Sequence, residues 1–175
     1  MNNKKIIING DFLCRRITGI ERYAYEITRR LDELSSPGEV AIIIPSIQKD
    51  IPAYKNLEII RLGKKSKSNI RWQMLSLQGF LLTHKEYLIL EFGNCCLPFA
   101  PGIVFLHDIY CEFFPEDFIT RRDKFTRFYS RLQYRLISRL AKKIVTVSEY
   151  SKNEINKTFN IDPVKIVSGC FTAYS

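Results

Sequence analysis

The sequence predicts a doubly wound, largely parallel α/β sheet in a single domain, and three observations carry that prediction. Short apolar runs without polar alternation, such as Val40-Ala41-Ile42-Ile43-Ile44 and Ile103-Val104-Phe105-Leu106, are those of strands covered on both faces. Segments with apolar residues at helical spacing separate these runs, which is the rhythm of strand–helix crossovers. The polar motifs also follow the strands: Gly10-Asp11 and Thr18-Gly19 after the first, Gly93-Asn94 after the Tyr87 run, His107-Asp108 after Leu106, and Ser148 after Val147. In a parallel sheet these all lie on one edge, where ligands collect.

Strand one is Ile6-Ile7-Ile8, stopped by the turn residues of Asn9-Gly10-Asp11. A helix follows, because Ile20, Tyr23, Ala24, Ile27, Leu31 and Leu34 recur at helical spacing while Arg22, Glu26, Arg29, Arg30 and Glu33 take the opposite face. Thr18-Gly19-Ile20-Glu21 has the capping-box pattern and places its start near Thr18. Pro37-Gly38 ends that unit, and the Val40 run before Pro45 is the second strand. Residues 57–62 alternate and read as a third strand nearer an edge. Trp72, Leu75, Leu77, Phe80 and Leu81 predict a helix over 70–82, which Gly79 weakens. Tyr87-Leu88-Ile89-Leu90 is the fourth strand, and a loop through Gly93-Asn94 and Pro98 leads to the Ile103 strand.

A long helix comes next, with Phe125, Phe128, Tyr129, Leu132, Leu136, Ile137 and Leu140 as its apolar stripe. That stripe places its aromatics in the core. Arg127, Arg131, Arg135 and Arg139 form a second stripe at four-residue spacing, where like charges repel by roughly a few tenths of a kcal/mol per pair. An anionic surface would relieve that repulsion. The strand Ile144-Val145-Thr146-Val147, a helix over 148–159 with Ser151-x-x-Glu154 as a second capping box, and a strand over 163–167 complete the chain.

The size and composition fit one soluble domain: 175 residues, 46% hydrophobic and 26% charged. The apolar run near the amino terminus is too short for a signal-peptide core or a spanning helix, so the expected location is cytoplasmic. Five cysteines with no CxxC pair indicate reduced thiols, with neither a disulfide framework nor a metal site. The net charge of +9 is local: over 121–143, nine basic residues face the single acid Asp123, and a smaller cluster is Lys64-Lys65-Ser66-Lys67.

His107 is the residue best placed for chemistry, because an imidazole at a strand's carboxyl end can manage a proton at neutral pH; the alternative is a satisfied buried histidine. Asp108 either orients it or caps its loop. His84, after a helix, reads as a solvated terminus.

The ordered motifs resemble those of the family 4 glycosyltransferases. Thr18-Gly19-Ile20-Glu21-Arg22-Tyr23 is similar to the family's TG[IV]xRY helix start; Leu106-His107-Asp108 with Pro115-Glu116-Asp117-Phe118 to its HD and PExF landmarks; and Val145-Thr146-Val147-Ser148-Glu149-Tyr150-Ser151 to its TVSxxS motif. The resemblance implies a Rossmann-like amino-terminal domain of the two-domain GT-B fold, spanning 1–175, with the carboxy-terminal donor-binding domain outside this chain. It implies transfer of a hexose, mannose among the candidates, from a nucleotide sugar to a glycan or lipid-linked acceptor in polysaccharide biosynthesis, with retention of configuration. His107 and Asp108 would be catalytic. Thr18 and Gly19 would meet the donor diphosphate, where a helix amino terminus favours anions. Asn94, Ser148 and Arg22 would meet the acceptor, although Ser148 equally reads as a helix cap. The nucleotide sugar is then a co-substrate, and no cofactor or metal is expected. Arg127, Arg131, Arg135 and Arg139 would face an anionic membrane, peripheral at its inner face.

Two departures stand against this. Val167-Ser168-Gly169-Cys170 replaces the family's asparagine-glycine pair, and the sequence has no room for the second domain, so 1–175 alone should transfer no sugar. Among other classes, a nicotinamide dehydrogenase lacks its GxGxxG after strand one. A non-catalytic module binding anionic membrane or nucleic acid through the basic helix is the remaining alternative. No nucleic-acid motif supports its second form.

Overall fold

The computed structural model describes residues 4–48, 50–63 and 69–169; the Lys64–Lys67 cluster and Cys170 lie outside them. Seven strands form one sheet: β1 (Lys5–Asn9), β2 (Val40–Pro45), β3 (Glu58–Leu62), β4 (Tyr87–Glu91), β5 (Ile103–Phe105), β6 (Lys143–Thr146) and β7 (Ile166–Ser168). The order is β3-β2-β1-β4-β5-β6-β7, and every neighbouring pair is parallel. The chain builds outward from β1 to β3, then returns to place β4 on the other side of β1. This reversal is the topological switch point, where the loops leaving β1 and β4 part and open a crevice.

The unbroken apolar runs are explained by burial on both faces. Ile7, Ala41, Ile43 and Ile89 point to one side, against Trp72, Leu77 and Leu81. Ile8, Ile42, Ile44 and Leu90 point to the other, where Ala24 of α1 (Gly19–Leu34) packs. A third cluster joins Val104, Leu106, Ile144 and Ile166 to Tyr134 and Ile137 of α5 (Arg121–Leu140) and Ile155 of α6 (Glu149–Phe159). Each fully buried aliphatic side chain contributes about 1.5–3 kcal/mol. Gly102 permits the tight entry to β5, since a Cβ there would drive into the Ile89 carbonyl oxygen.

The predicted helix over 70–82 is present but not uniform. Two α-helical pieces, α2 (Asn69–Arg71) and α3 (Gln78–Thr83), flank a π-helical stretch, Trp72–Leu77. Gly79 does not break it. His84 is not a solvated terminus: it is half-buried, closes α3 with Nδ1 2.9 Å from the Phe80 carbonyl, and stacks on the Phe80 ring at 4.0 Å.

Three other expectations are corrected. A short helix, α4 (Tyr110–Phe113), follows the His107 loop, where the periodicity is too brief to register. The α6 cap is Ser148, whose Oγ accepts the Ser151 N–H at 3.1 Å, so Ser151 lies inside the helix and the capping box with Glu154 does not form. On α5 the core face is Gln133, Tyr134 and Ile137, whereas Phe125 and Phe128 stand 65% and 66% exposed. The buried face of α5 is confined to its second half, and in the first half Tyr129 alone of the predicted stripe is half-buried, its hydroxyl accepting from Gln133 Nε2 at 3.2 Å.

Candidate functional site

The loops at the carboxyl ends of β1, β4 and β5 converge at the switch point. After β1, Gly10–Cys14 forms a 3₁₀ turn, and Thr18 caps α1. The Thr18 N–H donates to Glu21 Oε2 at 3.2 Å, and the Thr18 hydroxyl bonds the same carboxylate. Thr18 and Gly19 are exposed, and nothing lies within 4 Å of the position a Gly19 Cβ would take. A ligand can therefore approach the backbone at this helix end without meeting a side chain.

His107 lies two residues beyond β5 and is 9% exposed. Its Nε2 sits 3.0 Å from the Phe92 carbonyl. A carbonyl only accepts, so Nε2 carries the proton and Nδ1 keeps the lone pair. Burial holds its pKa below the ordinary histidine value, against the Phe92 bond and the Asp108 charge, which pull it up. The ring packs edge-on against Tyr23 of α1, with centroids 5.2 Å apart. The histidine and the first turns of α1 are thus brought together, and His107 is both satisfied and deep.

The other proposed residues divide. Asn94 is close to His107, in the left-handed region at φ 51, and its Oδ1 accepts the His107 backbone N–H at 3.1 Å. Asp108 is exposed and accepts the Tyr110 N–H at 3.0 Å, which caps its loop; among the described residues it makes no hydrogen bond to the imidazole. Ser148 serves as the α6 cap. Arg22 is exposed on α1 and lines a cavity of about 570 Å³ with Arg15, Tyr25, Glu26 and Ile51.

Beneath the crevice lies a polar network that sequence reasoning missed. Asp11, 4% exposed, accepts Arg15 Nη2 at 2.6 Å and Gln73 Nε2 at 2.5 Å. Asn9 Nδ2 donates to Glu91 Oε2 at 2.7 Å, while Glu91 Oε1 is buried with no hydrogen-bond partner among the described residues. Burial, with the nearby Asp11 charge, pushes the Glu91 pKa up to about 8, so this carboxyl is largely protonated at neutral pH. Burial also pushes Asp11 up, although the adjacent Arg15 guanidinium opposes this. Arg15 lies over Gly93, with Nη1 3.4 Å from where a Cβ would stand, and 3.8 Å from Glu21 Oε1. It joins β1, the α1 cap and the β4 loop. The available signal was Asn9-Gly10-Asp11, three polar residues ending an apolar strand.

The arginine stripe of α5 is split by its neighbours. Arg127 Nε donates to the Cys111 carbonyl at 2.9 Å, and Arg131 Nε to Glu112 Oε2 at 2.8 Å, so both hold α4 in place. Arg135 and Arg139 remain exposed. Among the described residues no helix is long and apolar enough to cross a membrane, and no group of three or more histidine, cysteine or acidic side chains could hold a metal ion.

No protein-family model matches the chain, and no curated protein matches it. Among solved structures it is similar to the crystal structure of WaaG, a glycosyltransferase involved in lipopolysaccharide biosynthesis, at 17% identity and a TM-score of 0.60. The match covers 93% of this chain and 44% of that one, so the chain spans less than half of that protein's length. At this identity the likeness is one of fold: this chain has the Rossmann-like parallel α/β architecture found in that glycosyltransferase.

Proposed function

We propose that the chain is the acceptor-side domain of a family 4-type GT-B glycosyltransferase, which moves a hexose, mannose among the candidates, from a nucleotide sugar to a glycan or lipid-linked acceptor with retention of configuration. One observation carries the reading: the open, cap-bounded start of α1 lies beside His107 at the carboxyl edge of the sheet, linked through the 5.2 Å contact with Tyr23. The fold shared with WaaG supports it. In this reading the free N–H groups at Gly19 face the donor diphosphate. His107 Nδ1 accepts a hydrogen bond from a hydroxyl of the transferring sugar or the acceptor. Asn94 positions the histidine rather than meeting the acceptor, and Asp108 holds the loop behind it. Nucleotide sugar is a co-substrate, and the domain does its work with no cofactor of its own.

Docking at an anionic, cytoplasmic membrane face belongs to the same proposal. Exposed Phe125 and Phe128 each leave on the order of 1–2 kcal/mol of burial unrealised, and Arg135 and Arg139 add cations worth about 1 kcal/mol each at an anionic surface. Exposed aromatics beside arginines also suit single-stranded nucleic acid, so an oligonucleotide is the competing ligand to set against anionic vesicles.

The test of the reading is transfer of label from UDP- and GDP-hexoses to a membrane extract by the product of the full reading frame, with the 175-residue chain run in parallel. Transfer by the longer product alone is expected if the frame supplies a second α/β domain. Turnover by the 175-residue chain would overturn the shared-site picture, and no transfer from any hexose donor would overturn the glycosyltransferase reading.

A further inference from the structure

Between α4 and the first turns of α6 lies a second cavity, of about 480 Å³, within the roughly 300–1,000 Å³ usual for small-molecule sites. Buried Ile109 and Ile155 form its floor. Tyr110, Phe114 and Tyr150 form its walls, exposed by 44%, 45% and 77%. Two carboxylates reach into this aromatic lining, those of Asp108 and Glu154.

Both carboxylates retain unused acceptor capacity. Asp108 spends Oδ1 on the Tyr110 N–H, which leaves Oδ2. Glu154 would have been consumed by a capping box with Ser151, but Ser148 is the cap, and among the described residues Glu154 has no hydrogen-bond or ion-pair partner. Among the described residues no lysine or arginine lines the cavity.

We propose that this pocket binds the ring of a neutral hexopyranose. If the glycosyltransferase reading holds, it is the subsite for the acceptor's sugar. A pyranose offers an apolar C–H face, which stacks on an aromatic wall, and hydroxyl donors, which carboxylates accept with strong charge-assisted bonds. The alternatives fit worse. Phosphate, nucleotide and a lipid phosphate are repelled by two uncompensated carboxylates, and an alkyl chain would bury Glu154 without a partner at a cost of several kcal/mol. The pocket also has a suitable address: Asp108 follows β5 and Tyr150 follows β6, so it opens at the carboxyl edge of the sheet that also carries His107.

Ligand-observed NMR on the 175-residue chain tests this with the methyl α-glycosides of glucose, mannose and galactose, and with cyclohexanol as an apolar ring of similar size. At least one glycoside is expected to bind with a millimolar Kd, more tightly than cyclohexanol. Tyr150→Ala and Glu154→Gln, both away from the core floor, should each weaken it about tenfold, whereas Tyr25→Ala in the other cavity should leave it unchanged. The proposal is overturned if no glycoside binds, if the two pocket variants bind normally, or if cyclohexanol binds as well as the sugars. Because the measurement needs no turnover, its failure leaves the transfer reaction intact as a reading, and absent transfer leaves sugar binding intact.

Discussion

Asn94 Oδ1 accepts the backbone N–H of His107 at 3.1 Å across the gap between the β4 and β5 loops, and Asn94 adopts φ 51 to do so. Asparagine tolerates that left-handed conformation better than most residues, so one side chain satisfies the turn and clamps the histidine. Replacing it separates the two roles. Asn94→Gly keeps the backbone freedom and loses the acceptor, at a cost of about 1–3 kcal/mol for the stranded N–H. If the proposed transfer holds, kcat of the full reading-frame product should fall with little change in donor KM, and Asn94→Asp, which restores an acceptor, should recover most of it. Equal kcat in Asn94→Gly and wild type would remove Asn94 as a positioning residue.

His107→Ala should lower turnover by roughly two orders of magnitude or more, as expected for a positioned acid–base group. A lone catalytic side chain on an open edge would leave stability untouched. His107 is instead 9% exposed and bonded to the Phe92 carbonyl, so a loss of about 1–3 kcal/mol is also expected. The informative quantity is activity per folded molecule. Normal specific activity in the folded fraction would show that the histidine only packs.

The buried carboxyl of Glu91 makes stability fall with rising pH. Its folded pKa, pushed up to about 8, lies above its unfolded value near 4.3. The folded state then binds more protons between those values, and the stabilisation present below pH ~4 is lost as pH climbs through about 8. Glu91→Gln keeps the Asn9 hydrogen bond and cannot ionise. Melting curves from pH 5 to 9 should show a Tm decline of several degrees in wild type that is mostly absent in Glu91→Gln. Parallel declines in both proteins would place the titration elsewhere.

Binding of α5 to a bilayer should need anionic lipid and weaken with salt, since exposed charges are screened over about 8 Å at physiological ionic strength. The double variant Phe125→Ser, Phe128→Ser should lose about 10- to 100-fold in vesicle affinity, and Arg135→Glu with Arg139→Glu a comparable factor. Arg131→Ala should act differently, by loosening α4 through the lost Glu112 pair. Equal affinity for neutral vesicles would reject membrane docking. Tighter binding to a single-stranded oligonucleotide than to vesicles would assign the face to nucleic acid.

How much of this was legible in the sequence depended on how local the cause was. The α1 cap at Thr18, the edge position of β3 and the placement of His107 beyond its strand follow from neighbours a few residues away. The α5 stripe misled because periodicity gives a helix its apolar face, not its partner. Arg127 and Arg131 are quenched by Cys111 and Glu112, sixteen and nineteen residues away along the chain. The Asp11–Arg15–Gln73 and Asn9–Glu91 network was invisible for the same reason, since Gln73 lies sixty-two positions from Asp11 and Glu91 eighty-two from Asn9.

The sequence alone therefore determined the class of fold and the edge at which its polar motifs gather, because strand burial and crossover rhythm are periodic and local. Only the tertiary structure decided the strand order that puts β4 beside β1. It likewise decided which arginines are free, and that His107 sits beneath Tyr23 instead of standing open on the edge. Those outcomes depend on which faces meet, and a one-dimensional pattern does not contain the identity of the surface across the gap.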